Sequence, residues 1–76
     1  MKKEIYILIS KVLSIDINVI NDELGTGDIP EWDSLAHQEL ILALEKKYKL
    51  KLDIDDVLDM ETVEDIIDVI EEKIKS

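Results

Sequence analysis

Apolar residues recur along the first segment of the chain at Ile5, Leu8, Ile9, Val12 and Leu13, that is, at i, i+3, i+4, i+7 and i+8. This spacing collects them on one side of a 3.6-residue repeat and predicts a helix from about Lys3 to Leu13. After Ser14 the pattern dissolves. From there to Asp33 the chain is rich in Asp, Asn, Gly and Pro, and Pro30 pushes Ile29 toward extended backbone. A loop of about 20 residues is rare in a small domain unless it is functional or packs on itself. Ile15, Ile17, Val19, Ile20, Leu24 and Ile29 supply side chains for such packing.

Periodicity returns at "SLAHQELILALEKKY". Asp33 and Ser34 are both good N-caps, so a second helix should start at one of them and run to about Tyr48. Its inner face is Ala36, Leu40, Ala43, Leu44 and Tyr48, while Leu35, Ile41 and Leu42 lie around that stripe. The helix is thus apolar over more than one side, and some of these residues should be exposed. Lys46, Lys47, Lys49 and Lys51 gather at its end, where cations suit the helix dipole. A short helical turn is expected from about Asp55 to Leu58. The last helix carries Val63, Ile66, Ile67, Ile70 and Ile74 at i, i+3, i+4, i+7 and i+11, with Thr62 and Asp65 as a capping pair. Strand signals are weak throughout. The expected fold is all-α: a small helical bundle of three main helices plus one short helix, with a long loop between the first two main helices, forming a single domain over residues 1–76.

Length narrows the function. A chain of 76 residues buries only about 60% of the surface its unfolded form exposes, which leaves little room for an enclosed active site. Cysteine is absent, so burial of the 46% apolar residues has to stabilise the fold. No apolar run approaches the 18 or so residues that span a bilayer, and Glu4, Ser10 and Lys11 interrupt the apolar part of the N-terminus. These features argue against a signal peptide and a membrane role, and for a cytoplasmic protein.

Charge narrows it further. With 19 acidic residues, 9 basic ones and a formal net charge of −10, the chain would repel a phosphate backbone, and the basic residues are all Lys, without the bidentate fork of Arg. Nucleic acid is excluded as a partner on these grounds. Ten of the acids lie between Asp53 and Glu72, a span with no Lys. Such a surface is either simply solvated or steers the chain toward a basic patch on a protein partner.

Catalytic and metal readings fare poorly. Ser34 and His37 are one helical turn apart, but no G-x-S-x-G elbow or glycine-lined oxyanion hole accompanies them. His37 is the only histidine, which rules out an H-E-x-x-H zinc site and leaves a surface residue of the second helix as the default. "DIDDVLDMETVE" places acids at several calcium-loop positions, yet Val57 occupies a ligand position and Leu58 replaces the turn glycine. "GTG" at Gly25–Gly27 lacks the rest of a phosphate-binding loop, and turn chemistry accounts for it. No metal site is expected.

"DSL" at Asp33–Leu35 has an ordinary explanation in helix capping, worth about 1 kcal/mol. Its surroundings say more. A serine ends a long loop in a small acidic helical chain, opens "DSLAHQELILALEKKY", and is followed by a short helix and by "METVEDIIDVI". This arrangement resembles the acyl carrier protein family over nearly the whole chain, from Ile5 to Ile74. The resemblance implies that the Ser34 hydroxyl is esterified to 4′-phosphopantetheine, transferred from coenzyme A by a separate phosphopantetheinyl transferase. The prosthetic thiol would then hold an acyl group as a thioester and present it to acyl-loading and acyl-processing enzymes, the carrier being a monomer and not an enzyme. A helix N-terminus suits the anionic phosphodiester, and the missing cysteine is no objection because the cofactor brings the thiol.

Carried over residue by residue, the resemblance makes Asp33 the motif aspartate that helps engage the transferase and Leu35 the exposed leucine that partners contact. Glu39 and Leu42 match partner-facing acidic and apolar positions, with Glu45 as a further candidate. Leu8, Leu40, Ala43, Leu44, Ile54, Val63 and Ile67 would line the core, between which an acyl chain could shelter; plain core packing explains Leu40 equally well. Trp32 stands where fatty-acid carriers commonly have a small residue, His37 follows the motif, and Lys46 and Lys47 interrupt the acidic side of the helix. These departures point to a specialised stand-alone carrier of a hydroxyacyl, aminoacyl or polyketide unit, although Trp32 could instead pack against the loop. The competing reading is an unmodified acidic helical adaptor that binds a basic protein partner.

Overall fold

A computed structural model describes residues 1–75 and contains four α-helices: α1 Lys2–Leu13, α2 Ser34–Tyr48, α3 Ile54–Asp59 and α4 Val63–Lys75. No strand is present among the described residues; one antiparallel bridge joins Gly25 to Thr62. The all-α expectation therefore holds, with three main helices and one short one. One further element, a single 3-10 turn at Ile17–Val19, was not legible in the loop; the Asp16 carboxylate caps it through the Asn18 N–H.

The periodic stripes meet in one core. Ile5, Ile9 and Leu13 of α1, Leu40, Ile41 and Leu44 of α2, and Val63, Ile66, Ile67 and Ile70 of α4 are all buried, and α1 packs against both α2 and α4. Three details depart from the sequence reading. Ile41 is part of the core and not of its margin, whereas Leu8 and Ala43 are only half-buried. Ile54, expected in the core, is 78% exposed. The cause is local: Asp53 caps α3, so Ile54 becomes its first residue, and together with Leu58 at i+4 it faces outward while Val57 turns inward.

Several helix ends have identifiable caps. Ser14 and Lys49 close α1 and α2 in left-handed conformation, with φ of 55° and 53°. Asp53 and Asp56 form a reciprocal capping box on α3. Thr62 and Asp65 do the same for α4, at 3.2 and 3.3 Å, as their spacing predicts. Asp56 also meets Lys73 at 2.8 Å and so ties α3 to α4; the Lys73 ammonium holds its carboxyl below the usual carboxylate range.

The long loop packs on itself and on the helices. Ile20 and Leu24 are buried and Ile15 and Ile29 half-buried, but Ile17 and Val19 remain exposed. Asp22 is its anchor on α1: Oδ2 accepts from Lys2 Nζ at 2.8 Å and Oδ1 from the Tyr6 hydroxyl at 2.6 Å. Both bonds favour the carboxylate, and they lower the Asp22 pKa. On the far side the loop runs beside the start of α4, where Val63 N–H donates to Leu24 O at 2.8 Å and Thr26 N–H to Glu61 O at 3.2 Å. Only glycine permits this approach at position 25, since a Cβ there would sit 2.6 Å from the Glu61 carbonyl oxygen.

Candidate functional site

From Gly25 the loop turns twice before reaching α2. Gly25 N–H donates to Asp28 Oδ2 at 2.8 Å, Asp28 N–H to Gly25 O at 3.1 Å, and Gly27 N–H to Trp32 O at 2.8 Å. Gly27 has φ +89°, a conformation that disfavours other residues. The turn chemistry expected of "GTG" is therefore present, and it delivers Trp32 into the core with its side chain wholly buried. Trp32 is thus a member of the hydrophobic core and is not displayed at the surface beside Ser34.

Asp33 follows in extended backbone, and its Oδ1 accepts from the Ala36 N–H at 2.8 Å. Asp33, not Ser34, is thus the cap. Ser34 becomes the first residue of the helix, with an exposed side chain and no hydrogen bond to its hydroxyl among the described residues. The backbone N–H groups of Ser34 and Leu35 likewise have no acceptor among those residues. The arrangement joins a free hydroxyl to the positive end of a four-turn helix, which suits a bulky anionic adduct.

The other candidate residues divide. Leu35, Glu39 and Leu42, at i, i+4 and i+7, form one exposed stripe leading away from Ser34, with Leu35 and Leu42 66% and 65% exposed. Glu45 does not share that freedom. It is half-buried, and its Oε2 accepts from the Leu52 N–H at 2.9 Å, fastening the segment after α2 back onto the helix.

His37, expected on the surface, is half-buried and tied to Trp32. Trp32 Nε1 donates to His37 Nδ1 at 3.0 Å, with ring centroids 6.0 Å apart, and Thr26 Oγ1 lies 3.1 Å from the same nitrogen. Burial pushes the imidazole pKa below its ordinary 6.5. No hydrogen bond joins Ser34 to His37 among the described residues, so the pair has none of the geometry of a nucleophile and its base. Sequence reasoning missed this coupling because a Trp–His spacing of five becomes a contact only when a cap and a helix start lie between them.

Two grooves flank His37. One, of about 520 Å³, lies between the loop around Thr26 and the Val57–Thr62 segment; the other, of about 300 Å³ and more apolar, is bordered by Gln38, Ile41, Leu42 and Val57. No group of three or more His, Asp or Glu side chains among the described residues is placed to hold a metal ion.

The family described as phosphopantetheine attachment site matches residues 3–70 of this chain. An acyl carrier protein of Buchnera aphidicola subsp. Schizaphis graminum is 33% identical over 75 residues, spanning 99% of this chain and 95% of that protein. The chain belongs to the acyl carrier protein family. Its prosthetic group is covalently attached 4′-phosphopantetheine. The carrier's fold agrees with the solution NMR structure of a holo acyl carrier protein from Geobacter metallireducens at a TM-score of 0.87 and 30% identity, covering 97% of this chain and 85% of that one. A second holo acyl carrier protein, from Nitrosomonas europaea, shares the fold at a TM-score of 0.82 and 24% identity, with coverage of 99% and 96%. Within the carrier, no helix of the described residues is long and apolar enough to cross a membrane.

Proposed function

We propose that Ser34 bears the 4′-phosphopantetheine, through a phosphodiester to Oγ, and that the loaded thiol carries an acyl or related group between partner enzymes. One observation supports this reading above others: of the three serines inside the matched span, only Ser34 offers a free exposed hydroxyl at a helix N-terminus. The Ser10 hydroxyl donates to Ile7 O at 2.8 Å within α1, and Ser14 is the left-handed residue that ends that helix. When bound, the group supplies a thiol for thioester chemistry. The protein supplies Asp33 to hold the helix start open, and the N–H groups of Ser34 and Leu35 to face the phosphate.

The partners in this reading are a phosphopantetheinyl transferase drawing on coenzyme A, followed by acyl-loading and acyl-processing enzymes. They would contact the Leu35–Glu39–Leu42 stripe and Asp33, with the acidic surface steering their approach. The chain acts as one domain over residues 1–76, as a cytoplasmic monomer, and catalyses no reaction itself. Intact mass measurement after incubation with coenzyme A and a broad-specificity transferase tests the central claim. The wild type should gain the mass of one phosphopantetheine and Ser34→Ala none. A gain in both, or in neither with several transferases, overturns the assignment.

A further inference from the structure

Trp32 Nε1–H can only donate, so its 3.0 Å contact makes His37 Nδ1 an acceptor. The Thr26 hydroxyl, 3.1 Å from the same nitrogen, can only share the one lone pair that Nδ1 then presents. A neutral imidazole that accepts through Nδ1 carries its proton on Nε2. Trp32 is wholly buried, so the tautomer is set by a residue that the core itself immobilises. The low basicity that burial gives His37 is consistent with this neutral form.

The Nε2–H is left without an acceptor among the described residues, while the ring borders the groove shared by Thr26, Val57, Leu58 and Thr62. His37 stands three residues after Ser34, hence on the same side of α2 and about one turn, or ~5 Å, along it. A chain attached to Ser34 Oγ and laid along α2 reaches this point long before its far end. Phosphopantetheine has amide carbonyl oxygens in that intervening stretch, which accept hydrogen bonds, and its acyl cargo lies beyond them.

We propose that His37 donates a hydrogen bond from Nε2–H to an amide carbonyl of the prosthetic arm in the groove beside Thr26, and that Trp32 is the positioning residue that keeps His37 in this role. The inference rests on Ser34 as the attachment residue. It makes the start of α2 a two-point holder, with backbone N–H groups at the phosphate and an imidazole one turn further on.

The test is NMR of the full chain labelled with nitrogen-15 at histidine, in apo and enzymatically loaded forms, after intact mass has established loading. In the apo form at neutral pH the two ring nitrogens should be widely separated in shift, with the proton on Nε2. In the loaded form, exchange of that proton with water should slow roughly fivefold, as a hydrogen bond of ordinary net strength would give, and the ring should show nuclear Overhauser contacts to the arm. Trp32→Phe, compared only in its folded and loaded state, should lose the single tautomer and the protection together. A proton on Nδ1 in the apo protein, or identical exchange and no arm contacts in a loaded sample, overturns the proposal while leaving Ser34 in place. Protection and arm contacts undiminished in Trp32→Phe overturn the part assigned to Trp32. Failure of Ser34-dependent loading overturns both readings, and that failure is seen by mass before any NMR is recorded. The wild-type comparison needs no variant, so an unfolded Trp32→Phe protein would not shelter the proposal.

Discussion

Helices α2 and α4 are similar in length and both carry many apolar residues, but they distribute them differently. In α4 the buried residues Val63, Ile66, Ile67 and Ile70 form one stripe, which only Ile74, expected to continue it, leaves for solvent near the helix end, while Glu64, Asp68, Glu71 and Glu72 take the opposite side. In α2, Leu40, Ile41 and Leu44 satisfy the core, yet Leu35 and Leu42 stand exposed on another side. A helix with one apolar stripe needs only the rest of its own fold. A helix with apolar side chains left over from the core has a surface suited to a second partner.

The sharpest way to break this contrast is to truncate one apolar residue on each helix. Ile70→Ala removes a fully buried side chain and should cost about 2–5 kcal/mol in urea unfolding. Leu42→Ala should change stability by less than about 0.5 kcal/mol and yet slow acyl transfer by a partner enzyme. A large stability loss at Leu42, or none at Ile70, would erase the distinction.

The next largest effect concerns how the loop before α2 is held against the start of α4. Gly25→Ala drives a Cβ to 2.6 Å from the Glu61 carbonyl oxygen, and backbone on both sides cannot yield as a flexible side chain would. A loss of about 1–3 kcal/mol is expected, in the range of other overpacked substitutions. Gly27→Ala has open space around it and should be limited by its positive φ alone. Thermal melts of the two variants side by side check this, and an equal or reversed order would refute the close-approach argument.

The two helix starts differ as well. Asp33 caps α2 through one hydrogen bond at 2.8 Å, whereas α4 has reciprocal but longer bonds between Thr62 and Asp65. Asp33→Ala should cost about 1 kcal/mol, and Asp33→Asn, an equally good cap, much less. If Asp33→Asn is stable but loads poorly with a transferase, the carboxylate has a recognition role beyond its capping one.

The smallest effect is in pH, and α2 alone should show it. Burial lowers the folded His37 pKa below the 6.5 of the unfolded chain, so between these values the unfolded state binds more protons. The stability from neutral His37 is complete above about pH 6.5 and is lost as pH falls through the folded pKa. Urea unfolding followed by Trp32 fluorescence should show this decline in the wild type but not in His37→Gln. At lower pH a second decline should follow, as Asp22 and Asp56, both held below the ordinary carboxylate range of about 3.8, become protonated.

Much of this molecule could be read without coordinates because its governing rules are local. The helix spans follow from a period of 3.6, the α4 cap from Thr62 and Asp65 three residues apart, and the exposure of Leu35 and Leu42 from an excess of apolar positions on α2. The resemblance around "DSL" drew attention to Ser34. Other features were illegible for an equally physical reason, since a sequence pattern fixes neither the direction a side chain takes at a helix end nor the path of a loop. That Asp33 takes the cap and leaves the Ser34 hydroxyl free, that Ile54 faces water, and that Glu45 binds the Leu52 N–H are matters of local direction that composition does not resolve.

Sequence by itself determined an acidic all-α chain with its helices in these places and a serine at the start of the second. Only the tertiary structure decided that Gly25 must be glycine, that Trp32 is a core residue and that His37 is its acceptor. Helix periodicity depends on neighbours three and four positions apart, which the sequence displays directly. The anchoring of Trp32 depends on the loop being pinned to Glu61 and Val63 across the fold, and a linear order of residues does not contain that contact.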